Sequence, residues 1–227
     1  MRGPGPGADL RHVETWIFDL DNTLYPPGAE FMSLIEGRMT EYVMRETGLA
    51  WDEAHALQKR YLGEHGTTLA GLMANHGVEP MGFLEEVHDV SHDSLSPDPA
   101  LQAALARLPG RRLVFTNGHS GHATRVLTSL GLTDLIDDVF HLESAGLTPK
   151  PAPETYARMA ARHGVHPMAA AFFEDTERNL APAEALGMTT ILVGPHAAAS
   201  TAPFVHHRTE ALAPFLDAAR IKKESAA

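Results

Sequence analysis

Two carboxylates, Asp19 and Asp21, follow a short β-prone apolar run made of Val13, Trp16, Ile17 and Phe18. On an extended backbone Asp19, Asp21 and Thr23 would lie on one side of the chain. A carboxylate at the end of a buried strand is costly unless it is paired or metal-bound, so this pair suggests a divalent cation or acid/base chemistry. The structural alternative is that one aspartate caps a following helix and the other is solvated in a turn. Thr116-Asn117-Gly118 offers a hydroxyl, an amide and a permissive backbone before an expected helix start. That suits an anion, and equally an ordinary turn. Lys150 stands between Pro149 and Pro151, in a restricted loop that could aim its ammonium inward. Glu174-Asp175 is a second acidic ending, with Asn179 four residues beyond Asp175, which could itself cap the helix there.

These groups need elements that bring them to one place. Strands are expected at the apolar run before Asp19, at Arg112 to Phe115, Asp138 to Leu142, Ala170 to Phe173 and Thr189 to Val193. Helices are expected around Ala100 to Leu108, Ala123 to Leu130 and Glu154 to Arg162, so the later chain alternates strand and helix. Such alternation predicts a doubly wound α/β fold, a parallel sheet with helices on both faces, whose ligands sit beyond the carboxyl ends of the strands. Between Pro26-Pro27-Gly28 and Ser96-Pro97-Asp98-Pro99 the apolar residues recur at helical spacing, as in Phe31, Leu34, Ile35, Met39, Tyr42 and Val43. Gly48, Gly63, Gly66 and Gly77 mark expected helix ends there. The resulting division is a tail over 1–12, a core over 13–27 and 96–227, and an all-helical cap inserted over 28–95.

Composition narrows the function classes. The 227 residues, 44% hydrophobic, suffice for one domain with an insertion. A formal net charge of -11 disfavours nucleic acid as a partner but allows a small anionic substrate if a metal or lysine supplies a local positive centre. The absence of cysteine excludes disulfides, thiolate nucleophiles and sulfur-ligated metals. The Gly/Pro-rich start has no apolar stretch behind it, and no run of about 18 apolar residues suggests a membrane partner. A cytoplasmic enzyme is the expectation.

Asp-x-Asp-x-Thr, Thr-Asn, Lys-Pro and Glu-Asp-x-x-x-Asn fall in this order on successive βα units. In this the chain resembles the haloacid dehalogenase-like hydrolases, whose four motifs match Asp19 to Thr23, Thr116, Lys150 and Asp175. The resemblance implies a Rossmann-like core with a helical cap after the first strand. It also implies a nucleophile at Asp19, an acid/base at Asp21, and Mg²⁺ held by Asp19, Asp175 and the carbonyl of Asp21. Thr116, Asn117 and Lys150 would hold the phosphate. An acidic residue at Asp21, where dehalogenases carry an aromatic one, favours a phosphatase acting through an aspartyl-phosphate.

Asp19 to Pro26, Tyr61 to Leu72 and Phe173 to Leu180 are similar to the pyrimidine 5′-nucleotidase branch, which makes a nucleotide the expected ligand and Asn22, Tyr25, Thr67 and Thr68 candidate substrate contacts. Thr67 and Thr68 could instead cap a helix, with Leu62, Leu69 and Leu72 packing the cap. A sugar phosphate, phosphoglycolate or nicotinamide mononucleotide remains an alternative substrate, and a non-catalytic module binding a phosphorylated ligand is the rival from another class. His88 and His92 have zinc-like i, i+4 spacing, but no third ligand accompanies them, and His206-His207 is expected in a solvated loop.

Overall fold

The structure, a computed structural model, describes residues 7–28 and 30–222. Among these, six parallel strands form one sheet: β1 (Thr15–Phe18), β2 (Arg111–Phe115), β3 (Asp138–Phe140), β4 (Ala170–Glu174), β5 (Thr189–Val193) and β6 (His207–Thr209). Their order is β3-β2-β1-β4-β5-β6. The chain winds outward from β1 to β3, then returns to place β4 on the other side of β1, with Ile17 in register with both Leu113 and Phe172. The winding direction therefore reverses between β1 and β4, and the crevice beyond their carboxyl ends is where such a sheet takes a ligand.

Strand alternation covers both faces. Trp16, Phe18, Val114, Ala171, Phe173 and Ile191 pack with helices α5 (Pro99–Ala106), α6 (Ser120–Ser129) and α9 (Leu212–Ala218). Ile17, Leu113, Phe115, Phe172 and Leu192 pack on the opposite face with α7 (Pro153–His163) and α8 (Leu180–Ala185). Burial on both faces explains why β1 after Thr15, and β4 before Glu174, are apolar runs that end in acids.

Four helices lie between β1 and α5: α1 (Phe31–Thr47), α2 (Trp51–His65), α3 (Thr68–His76) and α4 (Pro80–Val87). Local signals bound them. Thr67 caps α3 by accepting from the Ala70 amide, Glu79 caps α4 by accepting from Met81 and Gly82, and left-handed Gly48 and Gly77 close α1 and α3. Tyr42, Val43, Ala54, Leu57, Tyr61, Leu72, Phe83 and Val87 make a separate core among these helices. Phe31 and Ile35, at the start of α1, belong instead to the core of the sheet.

Several expectations need correction. Gly63 lies inside α2, which runs on to Gly66, because one helical glycine costs less than the packing of Leu57 and Tyr61 returns. Gly71 takes a different role, since a Cβ there would stand 2.3 Å from Cγ of Tyr61, so the glycine lets α3 approach α2. The tail expected over 1–12 lies outside the described residues through position 6, but Asp9 bridges to Arg220 and Leu10 is fully buried. Of the pair expected in a solvated loop, His206 is exposed and outside any strand, with Nδ1 accepting from the Thr190 amide at 3.1 Å, but His207 opens edge strand β6. No helix among the described residues is long and apolar enough to cross a membrane.

Candidate active site

Asp19 leaves β1 with its amide still donating to the Phe173 carbonyl at 2.8 Å, so its place beside β4 is fixed by the sheet. The backbone then turns instead of extending. Asn22 takes a left-handed φ of 61°, and Leu24 N donates to Leu20 O at 3.0 Å. The common side expected for Asp19, Asp21 and Thr23 therefore holds only for the two aspartates: both line one cavity, whereas the turn carries Thr23 to another.

Lys150 closes one side of the site. Its Nζ donates to Asp19 Oδ1 at 2.6 Å, Glu174 Oε2 at 2.7 Å and the Phe115 carbonyl at 2.9 Å, with the side chain 1% exposed. An ammonium has three donors, and all three are engaged. In this structure Lys150 therefore neutralises two carboxylates, and touching a phosphate oxygen would require it to share a proton. Burial pushes its pKa down, but Asp19 and Glu174 outweigh burial and raise it.

The Lys150 backbone is clamped by Asn117, whose Oδ1 accepts from Lys150 N at 2.8 Å and whose Nδ2 donates to Lys150 O at 3.2 Å. The Asn117 amide expected on phosphate is spent on this loop. Thr116 is buried and its Oγ1 accepts from the Gly118 amide at 2.9 Å, an arrangement that leaves its hydroxyl proton to donate.

Asp19, Glu174 and Asp175 bring carboxylate oxygens within 4.8 Å of one another. Burial, then the neighbouring Glu174 charge, pushes Asp19 up to about 7. Burial likewise pushes Glu174 up to about 7 against the pull of Lys150, and Asp175 is raised. Three acids around one ammonium leave excess negative charge that a cation would relieve. Glu174 spends Oε2 on Lys150 and Oε1 on the Thr176 amide, so Asp19 and Asp175 are left as hard oxygen donors, a set that suits Mg²⁺. Asp175 does not cap a helix; its Oδ1 accepts from the Thr176 hydroxyl.

Asp21 faces other partners. Its Oδ1 accepts from the Tyr25 hydroxyl at 2.7 Å, and His122 Nε2 lies 2.9 and 3.0 Å from its two oxygens. Burial works against its ionisation, but His122 and Tyr25 outweigh that and hold the carboxyl down at about 2. Tyr25 thus sits behind Asp21, away from the cavity, and not as the substrate contact expected of it.

Above the strand ends lies a cavity of about 280 Å³, reached by Asp19, Asp21, Asn22, Thr116, Asn117, Lys150 and Asp175. Helices α1 to α4 supply its other wall, including Met39, Gln58, Thr67, Thr68, Leu69 and Phe83. Thr67 and Thr68 do reach this wall, although the Thr67 hydroxyl oxygen is also the cap of α3.

The family model of the haloacid dehalogenase-like hydrolases matches residues 13–187, a span that holds every one of these groups. The chain belongs to this family. "Phosphate metabolism protein 8" of Saccharomyces cerevisiae is 28% identical over 195 residues, covering 79% of this chain and 61% of the yeast protein. The Escherichia coli fructose-1-phosphate phosphatase YqaB is 33% identical over 109 residues, covering 47% of this chain and 57% of YqaB. The chain thus spans about three fifths of the length of these curated relatives.

In fold it is similar to a HAD phosphatase from Thermococcus onnurineus, with a TM-score of 0.61 and 18% identity over 88% of this chain and 94% of that one. It is also similar to L-2-haloacid dehalogenase from Xanthobacter autotrophicus, with a TM-score of 0.56 and 19% identity over 90% and 97%. Sequence reasoning did not single out His122, Tyr25 as a partner of Asp21, or Glu174 as a partner of Lys150. The acidic strand end did mark Glu174. Nothing local marked His122, which lies 101 residues from Asp21.

Proposed function

We propose that this haloacid dehalogenase-like chain is a cytoplasmic, Mg²⁺-dependent phosphomonoester hydrolase acting on a small ester, foremost a pyrimidine nucleoside 5′-monophosphate. The observation that carries the reading is the convergence of Asp19, Lys150, Thr116 and Asp175 on one cavity that Asp21 also reaches. In this reading residues 28–95 serve as the cap that selects the substrate.

Lys150 holds Asp19 by Oδ1, which leaves Oδ2 to attack phosphorus. An aspartyl-phosphate forms and water then cleaves it. Thr116 donates to a phosphoryl oxygen, while Asp21 gives a proton to the leaving oxygen and later takes one from the water. A divalent cation held by the carboxylates of Asp19 and Asp175 and the carbonyl of Asp21 would stabilise charge on the transferring group. Asn117 supports the site by fixing the Lys150 loop.

The cavity lies near the small end of ligand pockets, about 300 to 1,000 Å³, which supports a small base over a large one. Gln58 supports the nucleotide reading: it is 3% exposed, it lines the cavity, and among the described residues its Nε2 meets only the thioether of Met39 at 3.7 Å. A buried amide donor with so weak an acceptor suits the carbonyl oxygen of a pyrimidine. A hexose phosphate is the second reading, favoured by the name of the Escherichia coli relative.

The test is phosphate release from UMP, CMP, AMP, fructose 1-phosphate, phosphoglycolate and nicotinamide mononucleotide, with and without Mg²⁺. We expect Mg²⁺-dependent turnover that is fastest on the pyrimidine nucleotides. Faster release from fructose 1-phosphate would transfer the assignment to the second reading, and no release from any ester would end the phosphatase proposal.

A further inference from the structure

His122 is fully buried in the first turn of α6 and has no role in the reaction as described so far. Its ring is stacked on Phe31 at 5.8 Å and 5°, and it packs against His88 at 4.2 Å. Among the described residues Nδ1 has no hydrogen-bond partner. The ring therefore has one polar connection, through Nε2 to the two oxygens of Asp21. An imidazole buried with one nitrogen unpaired costs stability, and a plain aromatic ring would fill the same stack without that cost. The backbone is also shaped around this ring, because a Cβ at Gly118 would stand 2.7 Å from His122 Cδ2. A flat residue with a donor at this one position is therefore what the site retains.

We propose that His122 is the positioning residue for Asp21. The inference rests on the phosphatase reading, in which Asp21 must meet the leaving oxygen. Tyr25 and His122 both engage Oδ1, whereas among the described residues Oδ2 meets only the longer arm of the His122 interaction, at 3.0 Å. This pairing fixes the carboxylate plane and leaves Oδ2 as the oxygen that exchanges the proton. Phe31 stacks flat on the imidazole and the tilted His88 ring packs against it, so the orientation of Asp21 is set from α6 and from the entry to α1 together.

The test compares His122→Phe, which keeps the stack and removes the donor, with His122→Gln, which restores an amide donor. Each is assayed with Mg²⁺ on p-nitrophenyl phosphate, whose leaving group needs little protonation, and on a nucleoside 5′-monophosphate, whose alkoxide needs it. For His122→Phe we expect kcat on the nucleotide to fall on the order of a hundredfold, the p-nitrophenyl ester to lose about threefold or less, and KM to stay within about twofold, with His122→Gln recovering part of the loss.

An equal loss on both esters, or none on either, would overturn the proposal. A crystal structure of the His122→Phe chain gives an independent reading: Asp21 turned out of its present place supports positioning, and Asp21 unmoved rejects it. If the wild-type chain cleaves neither ester, the phosphatase reading fails instead, and that crystal structure still decides whether His122 positions Asp21.

Discussion

At the scale of single residues, the raised carboxyls make a sharp expectation. A carboxyl that titrates near 7 in the fold keeps a proton that the unfolded chain releases, so Asp19 and Glu174 weaken the fold as pH rises from the ordinary carboxylate range to about 7. A cation removes this penalty. Mg²⁺ should therefore raise Tm more at pH 8 than at pH 5.5, where it must first displace protons, at up to about 1.4 kcal/mol per pH unit for each proton. Burial lowers His88 and His119 to about 3 and 4, which favours the fold as pH rises toward 6.5, but that contribution is the same with and without Mg²⁺ and cancels in the difference. An equal Tm gain at both pH values would refute the metal assignment. Asp19→Asn should reduce kcat below detection while the circular dichroism stays native, and turnover retained by that variant would exclude Asp19 as nucleophile. Asp19, Lys150 and Asp175 each had an ordinary reading as a cap, a turn residue or a surface lysine, and were legible in the sequence because they fall in order on successive βα units. His122 was not, since a histidine on an amphipathic helix looks like any core residue until its distant partner is known.

At the scale of elements, strands flanked by turn residues were legible and marginal ones were not. Thr189–Val193 is a run of β-branched and aliphatic residues, whereas His207–Thr209 has no apolar pattern and becomes a strand only through β5. The same contrast separates Gly63, which a helix tolerates, from Gly71, which a helix pair requires. Gly71→Ala should cost about 1 to 3 kcal/mol in urea unfolding, because its methyl would meet the Tyr61 ring at its root, where no rotamer relieves it. An unchanged midpoint would show that α2 and α3 can part without loss. Between elements, Arg178 in the turn after Asp175 donates to Leu62 O at 2.8 Å and to Gly63 O at 3.3 Å, a latch from the core to α2. Arg178→Ala should speed amide hydrogen exchange at the end of α2 by about tenfold while leaving β4 protected. Exchange unaltered there would remove the latch from any account of closure.

At the scale of the whole molecule, the division of labour implies that specificity and chemistry respond to different changes. The core was legible because its motifs come in a fixed order on successive βα units. The selectivity of the helical wall was less so, because apolar residues at helical spacing pack a bundle whether or not they also line a cavity. If the wall reads the base by fit, kcat/KM for UMP should exceed that for AMP by tens to hundreds of fold, the span that about 1 to 3 kcal/mol of pocket discrimination allows. Equal values would leave the hydrolysis standing and deny the wall its role. The route by which a ligand enters follows from α1, which has one end in each of the two cores. Phe31 and Ile35 sit in the core of the sheet, Tyr42 and Val43 in that of the helices, and the helix between them is about 25 Å long. Its two anchorages give it the geometry of a lever whose base lies near Asp21: a tilt of about 10° there would swing the far end by about 4 Å, wider than a water molecule, with every helix keeping its own hydrogen bonds.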